Sequence, residues 1–169
     1  MLICFGAGAQ IYITSGSTLT LTPQQLVEGF LIGNGVTVSN ATFNGMSVPF
    51  NTMGTVSCSG TFNKADQIGL FQTAGSATPM LQITSGIILS SGKVRDADRT
   101  VSPPTASTAT CSGGDPDLTL IGGHPSLDKA VLEFDFIPQT DIISFRYVFA
   151  SEEFDDICFQ SFNDAFGFF

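Results

Sequence analysis

The sequence predicts a mainly β protein, an antiparallel, jelly-roll-like β-sandwich with one short N-terminal helix. Three observations carry this. Sixteen Phe and two Tyr, among abundant Thr and Ser, favour strands over helices. Eighteen Gly and eight Pro supply the turns that many short strands need. Apolar segments with a period of two follow one another late in the chain, whereas a helical period occurs once. A closed barrel or a β-helix would satisfy the same observations. The chain has 169 residues, 43% of them hydrophobic, with a mean hydropathy of +0.28. That is enough for one domain, or most of one, with a packed core.

The elements follow in order. Residues 1–9 read as the remnant of an export signal: Met1 to Phe5 is apolar, and Ala7, Gly8 and Ala9 before Gln10 fit the small-x-small cleavage rule. A buried N-terminal strand is the alternative. Cys4 is a poor lipobox cysteine, because no small residue stands just before it. Residues 10–21 form a polar, β-rich lead-in. Thr22, Pro23 and Gln25 have capping-box form, with Thr as N-cap, Pro at the first helical position and Gln at the third. Leu26, Val27, Phe30 and Leu31 follow at helical spacing, and Gly33 suits the C-cap. Residues 36–43 alternate as a half-buried strand does, and Asn44-Gly45 signals a tight turn. Residues 66–71 and 85–89 read as strands, the second ending at a turn over 90–92. Residues 95–114 turn to Ser, Thr, Pro and Asp and read as a long surface loop. Residues 118–121 are a short apolar piece. Three strand candidates close the chain, at 131–137, 142–149 and 165–169. The first two are expected to pair as a hairpin through residues 138–141, with Leu132, Phe134 and Phe136 buried and Glu133 and Asp135 exposed. The third stops on Phe169 without a cap or turn, which predicts an incomplete domain with exposed apolar surface around Phe166, Phe168 and Phe169.

Charge limits the functions available. The net charge is −9, and between Asp115 and Phe169 eleven acidic residues face only Lys129 and Arg146. Such a surface repels phosphate backbones, so a nucleic-acid partner is not expected. No stretch approaches the ~20 apolar residues of a membrane span. His124, between Gly123 and Pro125, reads as an exposed loop residue, and without a CxxC pair no zinc site is expected. One disulfide among Cys58, Cys111 and Cys158 suits an exported protein.

The candidate site is the run Glu152, Glu153, Asp155 and Asp156, with Asn163, Asp164, Asp115 and Asp117 as possible additions. Crowded carboxylates that converge need a cation, and calcium, hard and tolerant of irregular oxygen-lined loops, is the ion expected. A solvated acidic surface accounts for the same composition, and the EF-hand spacing is absent. A catalytic carboxylate pair is the other alternative. Adjacent Glu152 and Glu153 point to opposite faces of a strand, so Glu153 with Asp164 is the pair to consider. No Gly-x-Ser-x-Gly elbow is present, and binding ranks above catalysis. The Phe stripe of Phe145, Phe149, Phe154 and Phe162 is assigned to the core rather than to a sugar-stacking platform.

These residues also carry a family likeness. Residues 131–136, 143–154 and 162–169 resemble three blocks of the choice-of-anchor L domain. Residues 85–92 and 112–118 are similar to its upstream blocks in the same order, and residues 26–42 to its opening helix and first strand. The likeness covers residues 22–169 and implies a truncated domain of that family, since the family continues where this chain stops. It implies an exported bacterial module, secreted or on the cell surface, within a larger chain bearing further domains and an anchoring or sorting signal. It implies no enzymatic activity and no defined ligand. An adhesion or scaffold role follows, with a polysaccharide or protein as the undefined partner and calcium as a possible stabiliser. A carbohydrate-binding or carbohydrate-active domain using the acidic cluster is the alternative.

Overall fold

The structure, a computed structural model, describes residues 9–33, 35–58, 60–75, 81–98, 108–151 and 164–169. Among the described residues seven strands form three antiparallel sheets. The first has the order β1 (Ala9–Ser15), β5 (Ile68–Gly75), β6 (Ser85–Leu89). The second pairs β2 (Val36–Phe43) with β7 (Leu132–Pro138), and the third pairs β3 (Thr55–Ser57) with β4 (Thr61–Asn63). Among the described residues no sheet closes into a barrel. The class is the expected one, antiparallel and sandwich-like. The core lies between the first two sheets: Ile68, Leu70 and Ile87 come from β5 and β6, Phe43 from β2 and Leu132 from β7.

The first helix begins as its sequence dictates. Thr22 accepts from the Gln25 amide at 3.2 Å, the Gln25 side chain accepts from the Thr22 amide at 2.9 Å, and Pro23 opens α1 (Pro23–Leu26). Its end differs from expectation. Residues Val27–Leu31 wind as a wider π-turn, closed by the Ile32 amide on the Val27 carbonyl at 3.1 Å. Ile32 is extended, so Gly33 is not a left-handed cap. The wider turn rotates the apolar stripe. Leu26 and Val27 are fully buried, whereas Phe30 and Leu31 are exposed.

Strand β2 spans the expected residues, with one irregularity the alternating pattern does not announce. Its register against β7 shifts between Ser39 and Thr42, where Asn40 takes φ +56°. This bulge moves the buried side chains from an even position, Val38, to the odd positions Ala41 and Phe43. A bulge leaves backbone groups out of the ladder. Gln24 of α1 takes them up: its Nε2 donates to the Val38 carbonyl at 2.8 Å and its Oε1 accepts from the Ala41 amide at 3.2 Å. Asn44 and Gly45 then both take positive φ, as a type I′ turn requires. The Asn44 amide donates to the Val131 carbonyl at 2.8 Å. Its side chain accepts from the Val131 amide at 2.9 Å and donates to the Lys129 carbonyl at 3.2 Å, fixing the entry to β7.

Four expectations need correction. The strand expected at 66–71 starts at Ile68, because Lys64–Gln67 forms a 3-10 turn capped by the Asn63 side chain on the Ala65 amide. A second helix, α2 (Pro116–Gly122), takes in Asp117, expected as a possible metal ligand, and the apolar piece expected at 118–121. The partner of β7 is β2, and residues 142–150 and 164–169, where two further strands are expected, belong to no strand. In β7 Glu133 and Asp135 are exposed as expected, but Leu132 and Phe134 are half-buried and Phe136 is 43% exposed. The local turn at 138–141 loses to β2, which offers a matching apolar face and the Asn44 clamp.

Candidate functional site

Of the eight candidate ligands, Glu152, Glu153, Asp155, Asp156 and Asn163 lie outside the described residues. The other three are placed as follows. Asp115 is the N-cap of α2: its Oδ1 accepts from the Asp117 amide at 3.0 Å and the Leu118 amide at 3.2 Å. Its backbone is held too, the amide donating to Ser126 Oγ at 2.7 Å and the carbonyl accepting from that hydroxyl at 2.9 Å. Gly123, with φ +73°, gives the helix its left-handed C-cap. Asp117 is exposed in the first turn, where a carboxylate suits the helix dipole. Asp164 is exposed and accepts from Ser151 Oγ at 2.6 Å.

Helix α2 lies between these groups. A side chain added at Gly122 would meet Ala165 at 3.4 Å, and one at Gly167 would meet Ile121 at 3.1 Å. Residues 165–167 therefore pack on the C-terminal end of α2. Asp115 and Asp117 stand at the other end, about 10 Å away along the axis at 1.5 Å per residue. Among the described residues no group of three or more His, Cys, Asp and Glu is gathered as a metal site would need. His124 is exposed.

The most conspicuous surface feature is a double row of rings. Phe145 lies 4.2 Å from Phe168, Tyr147 5.3 Å from Phe166, and Phe149 5.8 Å from Phe166, centroid to centroid. The partner numbers fall as the first numbers rise, so the two segments run antiparallel and Ser151–Asp164 continues the series. The rings are 43–59% exposed. This corrects the assignment of Phe145 and Phe149 to the core; Phe154 and Phe162 lie outside the described residues. Beside the rings is an open groove of about 380 Å³ lined by Leu81, Gln82, Ile83, Phe145, Arg146 and Tyr147. A second groove, of about 400 Å³, is lined by Ile32, Gly33 and residues 35–38 and has Glu28 as its carboxylate. Neither groove sets two carboxylates on facing walls.

Cys58 and Cys111 form a disulfide, with Cα atoms 5.9 Å apart. It ties the β3–β4 hairpin to the segment before α2. No helix among the described residues is long and apolar enough to cross a membrane.

The model of the choice-of-anchor L domain matches residues 14–169. The chain belongs to this family of bacterial surface-associated modules, which is not a known enzyme family. No curated protein and no solved structure matches it.

Proposed function

We propose that this chain is a non-catalytic extracellular module of a secreted or surface-attached bacterial protein, serving adhesion or scaffolding. The observation that carries the reading, within the family, is the Cys58–Cys111 disulfide. Structural disulfides persist in oxidising, extracytoplasmic compartments and are rare in reducing ones. The polysaccharide or protein partner is a ligand of the parent protein's surface, and the acidic run 152–156 with Asp164 holds calcium. A bound cation relieves carboxylate repulsion and stabilises the folded state as RT ln(1 + [L]/Kd). The melting temperature is therefore expected to rise with millimolar calcium, less with magnesium, and to fall with chelator. Glu153→Gln with Asp164→Asn should remove the response. An identical melt in chelator and in calcium would reduce the acidic run to a solvated surface.

A carbohydrate-binding role is the second reading, favoured by the exposed Phe145, Tyr147 and Phe149 beside Arg146. Aromatic faces stack on sugar rings, and retention on immobilised polysaccharide that falls with Tyr147→Ala would support it. Hydrolysis of that polysaccharide would replace the binding reading with an enzymatic one.

A further inference from the structure

We infer that the Cys58–Cys111 disulfide is a local redox clasp, docking the β3–β4 hairpin onto the strap 108–114, and that its reduction frees the hairpin while the two main sheets persist.

The two sides of the bond are held very differently. The strap is anchored without it. Thr110 is buried, and its amide and hydroxyl both donate to Asp128 Oδ1 at 3.1 Å. Its hydroxyl also lies 3.3 Å from the Ser91 carbonyl. On the other side of Cys111, Ser112 Oγ donates to the Lys129 carbonyl at 2.8 Å, and the Lys129 amide donates to the Gly113 carbonyl at 3.0 Å. Behind the strap the buried Gln67 donates through Nε2 to the carbonyls of Ser91 and Asp128, at 3.0 and 2.9 Å. This polar knot needs no sulfur.

Among the described residues the hairpin shows no such knot. Its strands contribute three residue pairs, Thr55↔Asn63, Val56↔Phe62 and Ser57↔Thr61. Their side chains are exposed or half-buried. A two-stranded ribbon of that length is marginal alone. Its base is tied by the Lys64 amide on the Gly54 carbonyl at 3.0 Å, and its flank by Lys93 Nζ 4.5 Å over the Phe62 ring. The tip, where the Cys58 amide donates to the Gly60 carbonyl, is secured to the body by the disulfide. Cys111 meanwhile holds φ +52°, a left-handed conformation that a residue with a side chain adopts at a cost. Reduction removes the bond that joins this residue to the tip.

The redox step balances simply. Two thiols give up two protons and two electrons to the disulfide form of a thiol oxidoreductase, which leaves as a dithiol. One consequence rests on the export reading: before translocation the hairpin is undocked, and oxidation afterwards completes the module.

Amide hydrogen exchange on the folded protein, with and without dithiothreitol, tests the clasp. Reduction is expected to accelerate exchange at residues 55–63 on the order of tenfold or more, with β2 and β7 keeping their protection. The double variant Cys58→Ser, Cys111→Ser should reproduce that pattern. Loss of protection everywhere would make the bond a global staple and overturn the clasp, as would unchanged exchange in the hairpin. Thiol trapping separates the two ideas. A chain retained in the cytoplasm should carry both thiols free and an exported chain neither. Oxidation already complete in the cytoplasm would sink the export consequence while leaving the clasp intact.

Discussion

Phe43 and Phe50 lie 6.1 Å apart, edge to face, and both are fully buried. Phe145 and Phe168 lie closer, at 4.2 Å, yet are 54% and 59% exposed. Both pairs sit in extended or turn segments rich in aromatic residues. The difference is the cover. Leu26 of α1, Met53 and Ala65 close over the first pair, together with β5 and β6. The 145–149 and 164–169 rows face each other, with α2 against residues 165–167 and an open groove between 145–147 and residues 81–83. Among the described residues no such lid lies over their rings, which stay about half exposed. Ring-to-ring contact is thus no measure of burial. A period-two pattern makes an apolar face, and a distant element decides whether that face becomes core.

The sharpest way to break this comparison is alanine substitution on both sides. Phe43→Ala and Phe50→Ala should each cost about 3–5 kcal/mol in denaturant unfolding, the transfer and cavity terms adding. Phe145→Ala and Phe168→Ala should each cost roughly 1 kcal/mol, since half of each ring is already in water. Equal losses at the two sites would mean that the aromatic rows are as thoroughly packed as the core.

A smaller effect should come from backbone contact beneath the core. A Cβ at Gly16 would meet the Ala65 carbonyl oxygen at 2.6 Å and that of Ile68 at 2.9 Å. Gly16→Ala therefore forces backbone apart and should destabilise by about 1–3 kcal/mol. Gly29 has nothing within 4 Å, and Gly29→Ala should be neutral or stabilise by up to ~1 kcal/mol. Paired thermal melts would show Gly16→Ala falling while Gly29→Ala holds or rises, and an undiminished melt for Gly16→Ala would refute the contact.

The smallest effects belong to the helix caps. Thr22→Ala and Asp115→Ala should each lower stability by about 1 kcal/mol, through the loss of one capped amide group or two. Replacement by Asn should restore most of it in each case. Should Asp115→Ala instead abolish a calcium-dependent rise in melting temperature, that carboxylate would be a ligand as well as a cap.

Local signals are legible in the sequence where the chemistry is local. The capping box at Thr22, strand 36–43, the turn at Asn44 and strand 85–89 all depend on neighbours within a few residues. Helix α2 carries the same kind of signal, Asp115 before Pro116 and Gly123 beyond the end, under an acidic composition that equally suits a metal. The bulge at Asn40 was not legible, because one extra residue leaves no mark on composition. Nor was the choice of β2 over 142–149 as the partner of β7: both candidates alternate, and pairing is decided by an Asn44 clamp that no sequence spacing reveals. Of the candidate site, sequence located the acidic crowding. The Asp115-Pro116 pair is the sign that this carboxylate caps backbone amides.

The pairing of β2 with β7 also sets a timetable. Asn40 meets Asp135 across 95 residues of chain. At a synthesis rate of 5–20 residues per second, β2 waits roughly 5–20 s for its partner to be made. During that interval the strand offers a bare edge and an apolar face, while β1, β5 and β6 can already assemble. Long-range closure slows folding and leaves intermediates open to aggregation. A chaperone that holds nascent chains should therefore bind this protein between the completion of residue 43 and that of residue 138, and release it afterwards.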